Sequence, residues 1–595
     1  MMKKFLLVVC GSFVGVFLAL IVFMVSCIIM SIAMVGMGSA LGGSSVSVEK
    51  NSILHIELSD EITERDGTGE VSMLSMVQGG GIPTTSSLVT IRAAISEAKD
   101  NKKIRGIYLE CNGALASPAT REAIYKSLTD FKKSGKFIYA YGYEGYTQGD
   151  YYLATVADSI FLNPSGAVDI HGMASAIPYF KKLLDNVGVE MQIIRVGTFK
   201  SAVEPYMLEH MSEANKLQQE VYMGNIWRAM VDSMAANRKL QAATLNQMVS
   251  DSVVATIDPV DLVKLHLVDR LLYRAEMEDV LKRATDIKED DDLRLVSPSD
   301  LCPNVEESVS GDHIAILFAE GEIDGSSTGG IDTEKMSEEI RSLQKDDNVK
   351  GLVLRVNSPG GSAFGSEQMW KALEDFKKSG KPFAVSMGDY AASGGYYISS
   401  GAERIFAERT TITGSIGIFG MIPAYESALT NKLGVNIETV KTNENADMGV
   451  MGRKLTETQY AAMQQMVNNG YELFTRRCAE GRHVTQDSIK HIAEGRVWDG
   501  VSALQRGLVD EFGGIDEAVK WVAKKAGLKE GKYKTQNYPA ITEDWQQLLA
   551  AFASSQYEAK LKGEMGILYD YHKALMQILG RDHLLCIMEP VDLKQ

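Results

Sequence analysis

Two short stretches of this chain hold residue types that could form and stabilise a covalent acyl intermediate. Ala391-Ala392-Ser393-Gly394-Gly395 sets a serine among small residues. A strand is read ahead of it over residues 382–387, running into small residues, and a helix is expected to begin at Ser393. A serine on such a strand-to-helix turn has the logic of a nucleophile elbow, with Ala391 where a Gly-x-Ser-x-Gly motif has glycine. The Gly394 N–H and the helix start would face a developing oxyanion. Asn357-Ser358-Pro359-Gly360-Gly361-Ser362 follows another predicted strand, residues 351–356, and its glycines let a second N–H donor approach. Losing one such donor typically costs ~2.7–4 kcal/mol of transition-state stabilisation. Taken singly, Ser393 reads as a helix N-cap and the glycines as turns. Taken together they read as a site.

A serine nucleophile needs a base. None of the nine histidines sits in a triad context, and His171 and His313 read as surface or satisfied polar residues. A lysine serves if burial lowers its pKa towards neutrality. Lys200, in Val196-Gly197-Thr198-Phe199-Lys200-Ser201-Ala202, lies on a small-residue turn after an apolar strand. The alternative is a surface lysine before a capping box of Ser201 and Glu204, and the residues alone leave that choice open. The cysteines, at 10, 27, 111, 302, 478 and 586, have neither zinc-ligand spacing nor the density of a disulfide framework. The glycines of residues 414–420 lack the Gly-Lys-Ser/Thr of a phosphate loop. No metal, nucleotide or other cofactor is implied.

The elements that must position these residues occur twice. IRGIYLEC at 104–111 matches VKGLVLRV at 349–356, DFKKSGK at 130–136 recurs at 375–381, and YYLATVADSIFL at 151–162 matches YYISSGAERIFA at 396–407. Each pair is offset by 245 positions, and beyond Pro178 and Pro423 the register slips by one, so that Gly188-Val189 meets Gly434-Val435. In each copy, strands alternate with helices, as in residues 366–378 and the strand 404–407, so the fold class is α/β with parallel strands. The copies differ at the chemistry. The first has Gln148 at the place of Ser393, Ile170 at the place of Ser415, and Gly113-Ala114-Leu115-Ala116 where the second has Ser358-Pro359-Gly360-Gly361. A purely structural repeat has no reason to keep the whole set in one copy.

With 595 residues the chain exceeds a single core. The boundaries expected are an anchor and linker (1–45), a first repeat with a helical insertion at 209–283 (48–300), a second repeat (312–540) and a helical tail (541–595) with apolar faces. A net charge of −16 excludes nucleic acid as a natural partner. Lys3 and Lys4 precede an apolar run from Phe5 to about Met37. That run outlasts the ~7–15 residues of a signal-peptide core and fits the ~20 of a bilayer span. The positive flank would stay in the cytoplasm and put the body outside, in the periplasm of a bacterium-like cell. Cleavage near Gly38-Ser39-Ala40 is the competing reading, and a lipobox at Met24-Val25-Ser26-Cys27 a weaker one.

At NSPGGS (357–362), AASGGY (391–396), GSIG (414–417) and FKSAVEPY (199–206), the chain resembles the signal peptide peptidase A (protease IV) family, peptidase family S49, in its long two-repeat form. The resemblance covers nearly the whole chain. It implies tandem ClpP/crotonase-like repeats with an N-terminal transmembrane helix and a helical C-terminal tail. It implies a serine endopeptidase with Ser393 as nucleophile, Lys200 as general base and Ser415 orienting the lysine. Gly361, Gly394 and Gly360 would form the oxyanion hole. It implies digestion of cleaved signal peptides and other hydrophobic peptides at the inner membrane, lipid contact through the N-terminal helix, and a homotetramer. The rival readings are an acyl-CoA enzyme of related fold, which would need a positioned carboxylate, and a non-catalytic scaffold holding hydrophobic peptides.

Overall fold

The computed structural model describes residues 48–65, 87–303, 305–306, 308–325, 330–529, 532–540 and 585–588. The predicted span at 5–37, Cys10 and Cys27, and most of the tail expected at 541–595 lie outside the described residues. Among the described residues, no helix is long and apolar enough to cross a membrane.

Each repeat builds one sheet on the same plan. In the first, all strands are parallel in the order Arg270–Leu271, Ser159–Leu162, Phe137–Gly142, Ile104–Cys111, Ser52–Leu58, Leu295–Val296. In the second, Glu511–Phe512, Arg404–Ala407, Phe383–Ala392, Val349–Ser358, His313–Glu320 and Lys534–Tyr538 follow the same order, also parallel. Parallel sheets need both faces covered, which is why these strands read as continuous apolar runs. Along His313–Glu320 the alternation still sorts the two faces. Ala315, Leu317 and Ala319 enter one apolar cluster, with Met369, Leu373 and Phe376 of the helix Ala363–Lys378. Ile314, Ile316 and Phe318 enter another, under the helix Ile515–Lys525. That helix buries Ile515, Ala518, Val519, Val522 and Ala523, the stripe of a 3.6-residue period.

Most expected elements are present. The helix read at 366–378 runs from an N-cap at Ser362 to Lys378, and the strand read at 404–407 has those bounds. Two readings change. The stretch 209–283 is not an insertion. Its helices Glu213–Arg238, Ala242–Asp251, Pro259–Lys264 and Arg274–Ala284 have counterparts in Glu457–Arg482, Gln486–Ile492, Gly500–Gln505 and Ile515–Lys525. The repeat therefore continues through its helices. The tail, expected to be helical, contributes a strand, Leu585–Ile587, because its apolar residues there are held by backbone pairing rather than on a helix face. That strand belongs to a four-stranded sheet ordered Gly360–Ser362, Leu585–Ile587, Phe419–Ala424, Glu190–Arg195, which joins the two repeats. Cys111 and Cys478 are buried thiols, and Cys302 is half-buried and free.

Candidate active site

A strand of the first repeat carries its lysine into the second. Glu190–Arg195 runs antiparallel to Phe419–Ala424, with Arg195 opposite Phe419. The Val196 N–H extends this pairing by donating to the Ile418 carbonyl at 3.1 Å. The chain turns at Gly197, where φ is 109° and a side chain would overlap Glu494. The Phe199 N–H then donates to the Glu494 carbonyl at 2.9 Å. Lys200 follows immediately, at the level of Ser415.

Lys200 Nζ lies 2.7 Å from Ser393 Oγ and donates to both the carbonyl and the hydroxyl of Ser415, at 3.1 Å each. All three residues are buried, Ser393 completely and Lys200 to 1% exposure. The surface-lysine alternative therefore does not hold, and Glu204 binds Ser212 and Asn215 instead of forming a box with Ser201. Two glycines wall the lysine stem. A Cβ on Gly495 would lie 2.6 Å from Lys200 Cβ, and one on Gly417 would lie 3.3 Å from Lys200 Cδ. Gln218, on the helix Glu213–Arg238, clamps the loop from behind. Its Nε2 donates to the Phe199 carbonyl (3.3 Å) and to Ser201 Oγ (3.0 Å), and its Oε1 accepts from the Val497 N–H (3.1 Å). Gln218 thus ties both neighbours of Lys200 to the strand Val497–Asp499, which pairs with Ile412–Gly414 just before Ser415.

Ser393 joins the strand Phe383–Ala392 to the helix Gly394–Ser399 with φ 55° and ψ −112°. Positive φ at a non-glycine residue stores strain of order 1–3 kcal/mol and persists only where the surroundings enforce it. Here the enforcement is visible. The ladder to the neighbouring strand pairs Val356 with Met387 and then jumps to Ser358 with Ala391. Asn357 Oδ1 fills the bulge by accepting from the Tyr390 N–H at 3.1 Å. The Ser393 N–H donates to the Gly414 carbonyl at 2.8 Å. Such a bulge re-aims the strand end.

The glycine strand Gly360–Ser362 lies against Ile323. Gly361 has φ 155°, and any Cβ there would overlap the Ile323 carbonyl. The Gly360 N–H is engaged within its own turn, donating to Ser358 Oγ at 3.2 Å. Behind the site, Arg355 is buried and binds Glu64 of the first repeat at 2.7 and 3.0 Å. Burial, followed by the Glu64 charge, pushes Glu320 up to about 7, and the same two causes raise Asp389.

The structure brings Ser393, Lys200 and Ser415 into direct contact, with the glycine strand held alongside by the Ser358–Gly360 turn. Sequence reasoning missed Gly495 and Gln218. Each meets the lysine loop across the fold, and neither stands in a local pattern that could have marked it.

A sequence model of peptidase family S49 matches residues 130–288 and again 375–529. The chain is 39% identical to protease 4 of Salmonella typhi over 454 residues, 75% of this chain and 73% of that one. It is 37% identical to protease 4 of Haemophilus influenzae over 464 residues, 75% and 74% of the two chains. With the chloroplastic serine protease SPPA of Arabidopsis thaliana the identity is 29% over 508 residues, 82% and 71%.

Proposed function

The chain belongs to peptidase family S49 and is a serine peptidase that hydrolyses peptide bonds, and on that premise we propose that Ser393 is its nucleophile, Lys200 its general base and Ser415 the group that orients the base. The observation that carries this is the 2.7 Å contact between Lys200 Nζ and Ser393 Oγ. A base must be neutral to take a proton, and burial disfavours the ammonium form of a lysine. With two N–H groups of the amine held by Ser415, its lone pair is free to face the serine hydroxyl. Lys200 then accepts the hydroxyl proton while Ser393 Oγ attacks the peptide carbonyl. The Gly361 and Gly394 N–H groups receive the oxyanion, with Gly360 shaping the turn. The protonated lysine gives its proton to the leaving amine, and water hydrolyses the acyl-enzyme by the same route in reverse.

The proposed substrates are cleaved signal peptides and other hydrophobic peptides. An apolar cluster of Met191, Val203, Phe419 and Met421 beside the dyad supports that choice. We propose a ClpP/crotonase-like fold for each repeat, a single-pass inner-membrane anchor at 5–37 and a periplasmic body. We also propose a homotetramer. Residues 436–441 correspond to the lysine-carrying strand Glu190–Arg195, yet they form no strand among the described residues and leave Leu433 and Val440 exposed at 71% and 101%. A second copy could supply the partner strand.

The test is hydrolysis of a synthetic signal peptide by the full chain in detergent, beside Ser393→Ala and Lys200→Ala. The parent should cleave, with kcat/KM rising with pH as the base deprotonates, and both variants should be inactive. Cleavage by Ser393→Ala at the parental rate would assign the nucleophile elsewhere.

A further inference from the structure

The contacts that hold Ser393 at its positive φ lead out of the second repeat. Asn357 fills the bulge, its Oδ1 accepting from the Tyr390 N–H at 3.1 Å. Its Nδ2 donates to Asp389 Oδ2 at 3.4 Å. Asp389 Oδ1 in turn accepts from the Thr120 N–H at 2.9 Å, and both its oxygens lie 3.0 Å from the Thr120 hydroxyl. Thr120 is the third residue of the first repeat's helix Pro118–Phe131. That helix has an N-cap residue of its own, Ser117, but the side chain makes no capping bond, and its buried Oγ has no partner among the described residues. Asp389 supplies the acceptor from the other repeat, and the helix dipole favours a carboxylate there. Burial and then the Glu64 charge raise this carboxyl, while Thr120 and Arg355 oppose them.

An ionised carboxyl only accepts hydrogen bonds, so Asp389 decides which end of the Asn357 amide faces Tyr390. Turned over, the amide would set its oxygen against a carboxylate and its donors against the Tyr390 N–H. The joint is packed as well as bonded. A Cβ on Gly388 would lie 2.8 Å from Glu64 Oε1 and 3.1 Å from Asn357 Cγ. Ser358, the next residue, pairs with Ala391 and accepts from the Gly360 N–H, so the glycine strand hangs on the same joint. The first repeat is built differently here. Asn112, at the place of Asn357, donates to Glu57 at 3.2 Å, and Glu144, at the place of Asp389, is exposed. We propose that Asp389 is a positioning residue for the nucleophile: anchored on the first repeat's helix, it locks the Asn357 amide and, through it, the bulge that aims Ser393. The proposal rests on the peptidase reading above. It makes the first repeat a support for the serine as well as the source of the lysine.

The experiment measures kcat and KM on a fluorogenic apolar peptide, per serine labelled by fluorophosphonate, for the full chain and three variants of it. In Asp389→Asn, either orientation of the new amide sets a donor against Asn357 Nδ2 or against the Thr120 N–H. kcat should fall roughly ten-fold with KM within about two-fold, because the aim of the serine changes and the peptide contacts do not. Asn357→Asp alone brings two carboxylates together and should fall at least as far. The double variant Asn357→Asp/Asp389→Asn exchanges the two groups at constant charge. The carboxylate at 357 can then accept from both the Tyr390 N–H and the amide at 389, so kcat should return to within about three-fold of the parent. Full kcat in Asp389→Asn would overturn the proposal. So would a double variant no better than the single ones. A loss confined to the number of labelled sites, with kcat per site unchanged, would make Asp389 a support for folding alone and would equally overturn it. The same labelling separates these outcomes from failure of the peptidase reading. If the parent chain labels and Ser393→Ala does not, the nucleophile stands whatever Asp389 does.

Discussion

The first repeat has the strand order of the second, yet the space where the second holds its site is filled. Gln148, at the place of Ser393, accepts from the His171 and Gly172 N–H groups at 3.1 and 2.8 Å and donates to the Gly172 carbonyl at 3.2 Å. Asp150, at the place of Gly395, accepts from the Gly113 N–H at 2.9 Å. Arg121, at the place of Ser366, lies over Gly149 and donates to the Ala114 carbonyl at 3.0 Å. Burial pushes the Asp150 carboxyl up while the Arg121 charge opposes it. Backbone groups at this corner are thus consumed by side chains in the first repeat. The fold tolerates both, because the sheet and its helices do not depend on how this one corner is filled. The lysine shows the converse. Only the first repeat's strand at 190–195 finds a partner, so the lysine that meets Ser393 comes from the other copy.

The largest effects should come from trying to make the copies equivalent. Ser393→Ala should lower kcat by a factor of roughly 10^4–10^6, as loss of a nucleophile does elsewhere. Adding Gln148→Ser should restore nothing, because the residue in register with Lys200 is Ala446, which carries no amine. Recovery of activity in the double variant, read by peptide hydrolysis, would break the comparison. Next is Gly495→Ala. Its Cβ would lie 2.6 Å from Lys200 Cβ and 2.7 Å from Lys200 Cα, at a φ of 75° that already disfavours a side chain. Displacing a catalytic group by about 1 Å can cost roughly 10^2-fold, so kcat should fall by that order while fluorophosphonate still labels the folded protein slowly.

A smaller effect sharpens the same contrast. Helix Glu457–Arg482 has Ala462 in register with Gln218. Gln218→Ala should therefore lower kcat about ten-fold with little change in KM, since it loosens the lysine loop and touches no substrate. Gln218→Glu keeps the acceptor for the Val497 N–H but loses both donors, and should fall between the two.

What was legible in the sequence was what repeats or what is local. The 245-residue offset, the apolar strands and the helix over 366–378 follow from pattern, and Ser393, Gly361 and Ser415 stand out because one copy has them and the other does not. Lys200 could not be singled out by its neighbours. It becomes buried only through the pairing of 190–195 with 419–424, a contact between segments far apart in the chain. Gln218 and Gly495 were hidden for the same reason. The strand at 585–587 escaped because apolar residues in a short segment fit a helix face as well as a strand until a free edge is known to exist.

The last contrast lies behind the site. By the ladder register, Glu320 occupies the position of Ser59 in the first repeat. Burial first, and the charge of Glu64 second, raise it to about 7 from a usual 4.5, against the opposing charges of Arg355 and Arg65. Unfolded, the carboxyl ionises above about pH 4.5; folded, it keeps its proton to about pH 7. The native state therefore binds the extra proton in this window, and stability falls as pH rises through it. Above pH 7 the folded protein bears the full cost of a buried carboxylate near Glu64, on the order of 1–3 kcal/mol. Glu320→Gln removes that cost. Its Tm should exceed the parent's at pH 8 and match it near pH 4.5, with the gap opening between. Glu320→Ser, which restores the first repeat's residue type, should show the same pH dependence on top of a constant loss from the cavity. A gap that does not change with pH would mean that the Glu320 carboxyl titrates alike in the folded and unfolded protein, with Arg355 and Arg65 offsetting burial.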